Sequence, residues 1–223
     1  SGYTCRPALK DVYFGADCLD TDCRRAIDDN ALTIICKGEG IERRAAELIA
    51  AGKIVARCAG RMEYGPRALG NRSILYQATA RSVNKWLNER LKRTEFMPFA
   101  PVVLWEERDR CFKSVDGAAE TARFMTMTFD CNSELIEKCP AICHVDGTAR
   151  PQLIREEDNS AYYRLLKEYH SITGLPCIVN TSFNMHEEPI VNTPAEAVKS
   201  FLQSQLDAMI LGPYLVTAVN VRP

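Results

Sequence analysis

Fourteen residues from Gly60 to Ser73, Gly-Arg-Met-Glu-Tyr-Gly-Pro-Arg-Ala-Leu-Gly-Asn-Arg-Ser, restrict the fold more than any other stretch of the chain. They hold three arginines, three glycines, one proline and one carboxylate. Glycine and proline at that density break a helix, and the charge excludes a core strand. Apolar runs flank the stretch, Lys53–Cys58 before it and Ser73–Tyr76 after it. It is therefore expected as a loop joining two strands. Arginine presents a planar fork of donors suited to phosphate or carboxylate. Glycine lets backbone come close to a ligand. The composition thus favours an anion-binding loop over a solvated turn.

The remaining elements follow in order. Ala31–Cys36 is an expected strand. Ile41–Ala51 reads as a helix with Ile41, Ala45, Leu48 and Ile49 on one face, and Gly52 stops it. A second helix spans about 80–92, with Val83, Trp86, Leu87 and Leu91 as its apolar stripe. Pro98 and Pro101 argue against a central strand at the start of Phe96–Trp105. Phe124–Phe129 alternates and predicts a strand. Residues 131–140 read as a loop or short helix, and Asp146-Gly147 as a turn before another strand. An amphipathic helix covers Ser160–Thr173, closed by Gly174 and Pro176. Leu175–Asn184 is a buried strand with a polar end. Thr193-Pro-Ala-Glu196 is a capping box that starts a helix to about Gln203. Ala208–Leu211 and Tyr214–Val219 close the chain as strands. Alternating helices and strands predict an α/β domain with a sheet core.

The bulk numbers exclude several classes. A formal net charge of -1 gives no global field for nucleic acid or an anionic membrane. No apolar run approaches ~18 residues, so no spanning helix is expected. The N-terminus lacks a signal-peptide pattern. The ten cysteines include no C-x-x-C pair and fit no common zinc spacing. They are read as reduced thiols in a cytoplasmic protein.

Polar islands recur at strand ends and turns: Arg61, Arg67, Arg72 and Ser73; Lys92 and Arg93; His144, Asp146 and Arg150; Asn180, Ser182 and Asn184. Singly, each has an ordinary structural use. His144 can be a bonded core histidine, Asn180 and Ser182 can form a turn, and Glu63 can brace an arginine. Together they suit a substrate with several negative charges. No Walker-type phosphate loop, nucleophile elbow or multi-histidine metal site is present.

Four segments carry a resemblance. Gly60–Ser73, Arg93-Thr-Glu-Phe-Met-Pro-Phe-Ala-Pro101, His144-Val-Asp-Gly-Thr-Ala-Arg150, and Asn180-Thr-Ser-Phe-Asn184 with Glu188-Pro-Ile-Val191 strongly resemble the C-terminal domain of the O-carbamoyltransferase family. That family includes nodulation-factor, cephamycin-type and aminoglycoside carbamoyltransferases. The resemblance implies a YrdC-like fold over about residues 40–223, a twisted mixed sheet with flanking helices similar to threonylcarbamoyl-adenylate synthases. It makes residues 1–39 an extension or inter-domain linker. It also implies a reaction in which carbamoyl phosphate and ATP give carbamoyl-adenylate, with Mg²⁺ present. A separate N-terminal domain of the actin and sugar-kinase type, carrying an iron-type metal and lacking here, would then pass the carbamoyl group to a hydroxyl.

By this resemblance Arg61, Arg93 and Arg150 are expected as catalytic groups. Arg67, Arg72, Ser73, Lys92, His144, Asn180, Ser182 and Asn184 are expected to hold substrate or nucleotide, and no residue is assigned to a metal. Met97 stands where the family often has arginine. The competing expectations are a non-catalytic nucleotide-binding or regulatory domain of the same fold and, against the charge, an RNA-binding module. Small molecules and the N-terminal domain are the expected partners. A homodimer is left open, membrane is excluded, and nucleic acid is disfavoured.

Overall fold

The computed structural model describes residues 9–91, 99–185 and 187–218. Ten strands are seen among them: β1 (Thr33–Lys37), β2 (Val55–Cys58), β3 (Arg72–Tyr76), β4 (Ala100–Leu104), β5 (Phe129–Asp130), β6 (Thr148–Ala149), β7 (Gln152–Ile154), β8 (Cys177–Ser182), β9 (Ala208–Leu211) and β10 (Tyr214–Thr217). The helices are α1 (Asp20–Asp29), α2 (Ile41–Ala50), α3 (Ser82–Arg90), α4 (Arg108–Cys111), α5 (Ala119–Ala122), α6 (Ser133–Lys138), α7 (Ser160–Thr173) and α8 (Pro194–Ser204).

Eight strands form one mixed sheet in the order β1-β10-β9-β2-β3-β8-β4-β7, and β5 pairs with β6 apart from it. The pairs β2–β9 and β4–β7 are parallel and the others antiparallel. Apart from β1 and the end of β8, the strands of this sheet are buried on both faces, so their side chains alternate between two cores. Ala56, Ile74, Val103, Val179 and Met209 face one core with Val198 and Phe201 of α8. Val55, Leu75, Val102, Ile178 and Ile210 face the other with Ile49 of α2 and Leu165 of α7. Helix α1 packs on α8, and α2 packs on α7.

Several elements form where periodicity places them. Helix α7 buries Tyr162, Leu165, Leu166 and Tyr169, and ends at Gly174 in the left-handed region. The capping box of α8 is complete, with Thr193 and Glu196 each bonding the other's backbone.

Three expectations change. Residues 1–39 were expected as an extension or linker, yet β1 pairs with β10 at the sheet edge and α1 buries Cys23, Ala26 and Ile27. Strand β1 is thus part of the same sheet. Strand β4 includes Pro101, because its β7 partner pairs only from Val102 onward. The alternating Phe124–Phe129 segment is strand only at Phe129, and Met125 sits at φ 54°. Its side chain is buried with Leu69 and Ala100, away from any sheet ladder.

Candidate functional site

The Gly60–Ser73 stretch joins the adjacent strands β2 and β3, as expected. Its inner half, Ala68–Ser73, is held from all sides. The Glu63 carboxylate, 2 % exposed, accepts through Oε1 from the backbone N–H of Leu69, Asn71 and Arg72 at 2.6, 3.1 and 3.1 Å. Ser73 Oγ accepts from Gly70 N at 3.0 Å. The carbonyls are taken by side chains from other elements. Asn180 donates to Ala68, Gln152 and the Tyr13 hydroxyl donate to Leu69, and Arg57 donates to Gly70. Burial pushes the Tyr13 phenol up, which keeps its proton available for that bond.

Arg72 is fully buried and makes no carboxylate pair among the described residues. Its guanidinium donates to five backbone carbonyls, those of Ala16, Ala59, Gly60, Asn71 and Asn192. Charge-assisted bonds of this kind offset the desolvation of a buried cation. Gly70 lies at φ +113°, and a Cβ there would fall 2.2 Å from the Tyr162 ring. No other residue type fits that approach.

A second segment lies along the loop. Tyr64 N donates to Val12 O, Met62 N donates to Ala16 O, and Gly15 N donates to Met62 O, at 2.7, 2.9 and 2.9 Å. Arg61 donates to the carbonyls of Phe14 and Gly15. Residues 12–16 thus form a strap across the loop.

The outer half, Tyr64–Arg67, has few such bonds. Tyr64 is 76 % exposed. Arg67 and Arg150 face a cleft of about 340 Å³, together with Tyr64, Phe124, Met125 and Thr126. Among the described residues no carboxylate lines this cleft. Arg150 precedes β7, is half-buried, and its Nε is buried without a partner. Burial and the nearby Arg67 charge hold its guanidinium below the usual arginine range. Two cations this close, one partly desolvated, favour an anion between them.

The predicted site residues therefore divide. Arg67 and Arg150 meet at the cleft. Arg61, Arg72, Ser73 and Asn180 are spent on holding the loop and strap. His144 Nδ1 lies 2.9 Å from Thr148 Oγ1, and Asp146 Oδ1 accepts from the Thr148 N–H and hydroxyl, so this island shapes the turn leading to Arg150. Ser182 donates to Asn184 Oδ1, and Asn184 donates to the carbonyls of Met185 and Glu188, shaping the turn after β8. Lys92 and Arg93 lie outside the described residues. Sequence reasoning missed Arg57, Tyr13 and Gln152 as loop holders, although an arginine inside the apolar run before the loop is a visible signal for the first. The donor sets at the cleft do not suit a metal. Among the described residues no group of three or more His, Cys, Asp or Glu is arranged to hold one.

Comparison with known proteins bears on this geometry. Residues 46–218 match the family described as "Carbamoyltransferase C-terminus". The chain is similar to a protein of Methanocaldococcus jannaschii, 45% identical over 80% of this chain and 29% of that protein. It is also similar to nodulation protein NolNO of Sinorhizobium fredii, 37% identical over 98% of this chain and 32% of that one. Nodulation protein NolO of Bradyrhizobium diazoefficiens is 36% identical over 95% of this chain and 39% of its own length. The chain therefore spans well under half of these relatives. Among solved structures, full-length HypF in its phosphate- and nucleotide-bound form superposes with a TM-score of 0.57 at 21% identity, over 80% of this chain and 25% of HypF. HypF of T. kodakarensis gives 0.51 at 21%, over 77% of this chain and 20% of that one. The fold is the expected YrdC-like α/β class, a mixed sheet with flanking helices.

Proposed function

The chain belongs to the carbamoyltransferase family, matching its C-terminal region, and from that premise we propose that it is the part of an O-carbamoyltransferase that joins carbamoyl phosphate and ATP into carbamoyl-adenylate. The observation that carries the reading is the Arg67–Arg150 cleft, where two cations meet with no carboxylate among the described lining residues. Carbamoyl phosphate and ATP are both polyanions.

In the proposed step water cleaves carbamoyl phosphate to carbamate and phosphate, and a carbamate oxygen attacks the α-phosphorus of ATP. The new P–O bond forms as the bond to the β-phosphate bridge breaks and pyrophosphate departs. Little covalent work falls to the protein, so positioned cations supply most of the effect. Arg150 and Arg67 neutralise charge on the phosphates, and the partly buried position of Arg150 strengthens its interaction. The rigid inner loop fixes where Arg67 starts, which limits the reorganisation needed on binding. Mg²⁺ would arrive with the nucleotide, since no carboxylate is among the described lining residues of the cleft. Arg93 and Lys92, by resemblance, are proposed as further phosphate contacts. Transfer to a hydroxyl acceptor belongs to the rest of a longer protein.

The test is pyrophosphate release by the chain, and by a longer protein that carries it, supplied with Mg²⁺, ATP and carbamoyl phosphate. Release that needs both substrates and is lost in Arg150→Ala supports the reading. ATP binding in calorimetry without release in either protein would move the assignment to a regulatory nucleotide-binding domain. Binding of neither substrate would overturn it.

A further inference from the structure

Where the strap meets the sheet, three thiols come together. Cys18 Sγ lies 3.2 Å from Cys23 Sγ and 3.8 Å from Cys58 Sγ. Cys18 follows the strap, Cys23 sits in the first turn of α1, and Cys58 ends β2 just before the Gly60 loop. The surrounding backbone is close. Gly212 is in the left-handed region, and a Cβ there would come within 2.7 Å of Cys23 Sγ. All nine described cysteines are free. The three do not make a metal site, since no such group exists among the described residues. A buried cysteine packs as a small hydrophobe, and its reactivity decides whether it has a further role.

We propose that Cys18 and Cys23 are a redox-modification site, oxidised to a disulfide by a hydroperoxide. Their sulfurs need to close from 3.2 Å to the ~2.05 Å of a disulfide bond. Cys18 is the attacking thiol. The thiols of Cys23 and Cys58 and the Arg72 guanidinium stabilise its thiolate and pull it well below the usual cysteine range, while Cys23 is pushed up. Cys18 is also the least buried of the three, with 8% exposure against none for the other two. Its chain neighbours Asp17 and Leu19 line a cleft of about 530 Å³.

The steps balance. The Cys18 thiolate attacks a peroxide oxygen, the O–O bond breaks, and the leaving oxygen takes a proton to become alcohol or water. Cys18 is then a sulfenic acid. Cys23 sulfur attacks Cys18 sulfur, the S–O bond breaks, and the departing hydroxide takes the Cys23 proton as water. Two thiols are oxidised by two electrons and one peroxide is reduced. The product staples the end of the strap to the start of α1. This inference does not depend on the proposed carbamoyl chemistry.

Both cysteines fall within one tryptic peptide, residues 11–24, between Lys10 and Arg24. The reduced chain, treated with hydrogen peroxide, alkylated and digested, should yield this peptide two hydrogens lighter than its reduced form and carrying no alkyl group. A dithiol reductant should restore it. Cys23→Ser should lose the lighter species, and Cys36→Ser should keep it. Should Cys23→Ser fail to fold, the mapping of the unsubstituted chain decides. A peptide 11–24 alkylated on both cysteines while Cys36 or Cys143 is oxidised overturns the proposal. So does Cys18 cross-linked to Cys58, or Cys18 found only as sulfinic acid.

Discussion

Arg67 and Arg72 lie five residues apart in one loop and meet opposite fates. Arg72 is fully buried, and its donors end on five carbonyls drawn from four parts of the chain. Arg67 is exposed beside a cleft whose described lining residues include a second arginine and no acid. The same side chain serves as an internal tie in the inner half and as an unneutralised cation in the outer half. The difference shows how a loop can present positive charge without collapsing onto it. The inner half is cross-linked by Glu63, Arg57, Arg72 and Asn180, so the outer half has a fixed base. An arginine needs no acid of its own when the incoming ligand is the acid.

Four substitutions would break or sharpen this contrast. The largest effect is expected from Gly70→Ala. It combines a clash with the Tyr162 ring and a strained φ of +113°, and should lower stability by about 4 kcal/mol in denaturant titration. A loss near zero would mean that the inner half is not tightly held. Next comes Glu63→Ala, which leaves three buried N–H groups without their acceptor and should cost about 3 kcal/mol. Arg150→Ala should do the reverse of these two. Its unfolding midpoint should stay the same or rise, because a desolvated cation beside Arg67 is removed. Its affinity for ATP, read by calorimetry, should fall by roughly 10- to 100-fold, or about 1.4–2.8 kcal/mol. Marked destabilisation would place Arg150 with the ties instead. The smallest change is expected from Thr193→Ala. It removes the α8 cap next to the Asn192 carbonyl that holds Arg72, and should cost about 1 kcal/mol in thermal unfolding.

Elements with local causes were legible in the sequence. The spacing of Tyr162, Leu165, Leu166 and Tyr169 placed α7, and Thr193 with Glu196 placed the start of α8. The loop between β2 and β3 was readable from its glycines. The division of labour inside it was not, because the partners of Arg72 are the carbonyls of Ala16 and Asn192, distant in sequence and carrying no side-chain signature. Phe124–Phe129 misled for a related reason. Its alternate apolar positions do not share one environment, since Met125 is buried with Leu69 and Ala100 whereas Met127 is exposed. Of the predicted cleft, the cationic character was readable from composition, whereas the pairing of Arg67 with Arg150 required the fold.

The strap has a bearing on where this protein can be cut. The family match begins at residue 46, and a fragment trimmed to that limit would look complete by that match. Such a fragment would lose the Val12, Phe14, Gly15 and Ala16 carbonyls that receive donors from Tyr64, Arg61, Arg72 and Met62. It would also lose β1, leaving β10 as a bare edge open to association with other chains. The unit that can be excised intact is therefore longer at its N-terminal side than the family match alone outlines.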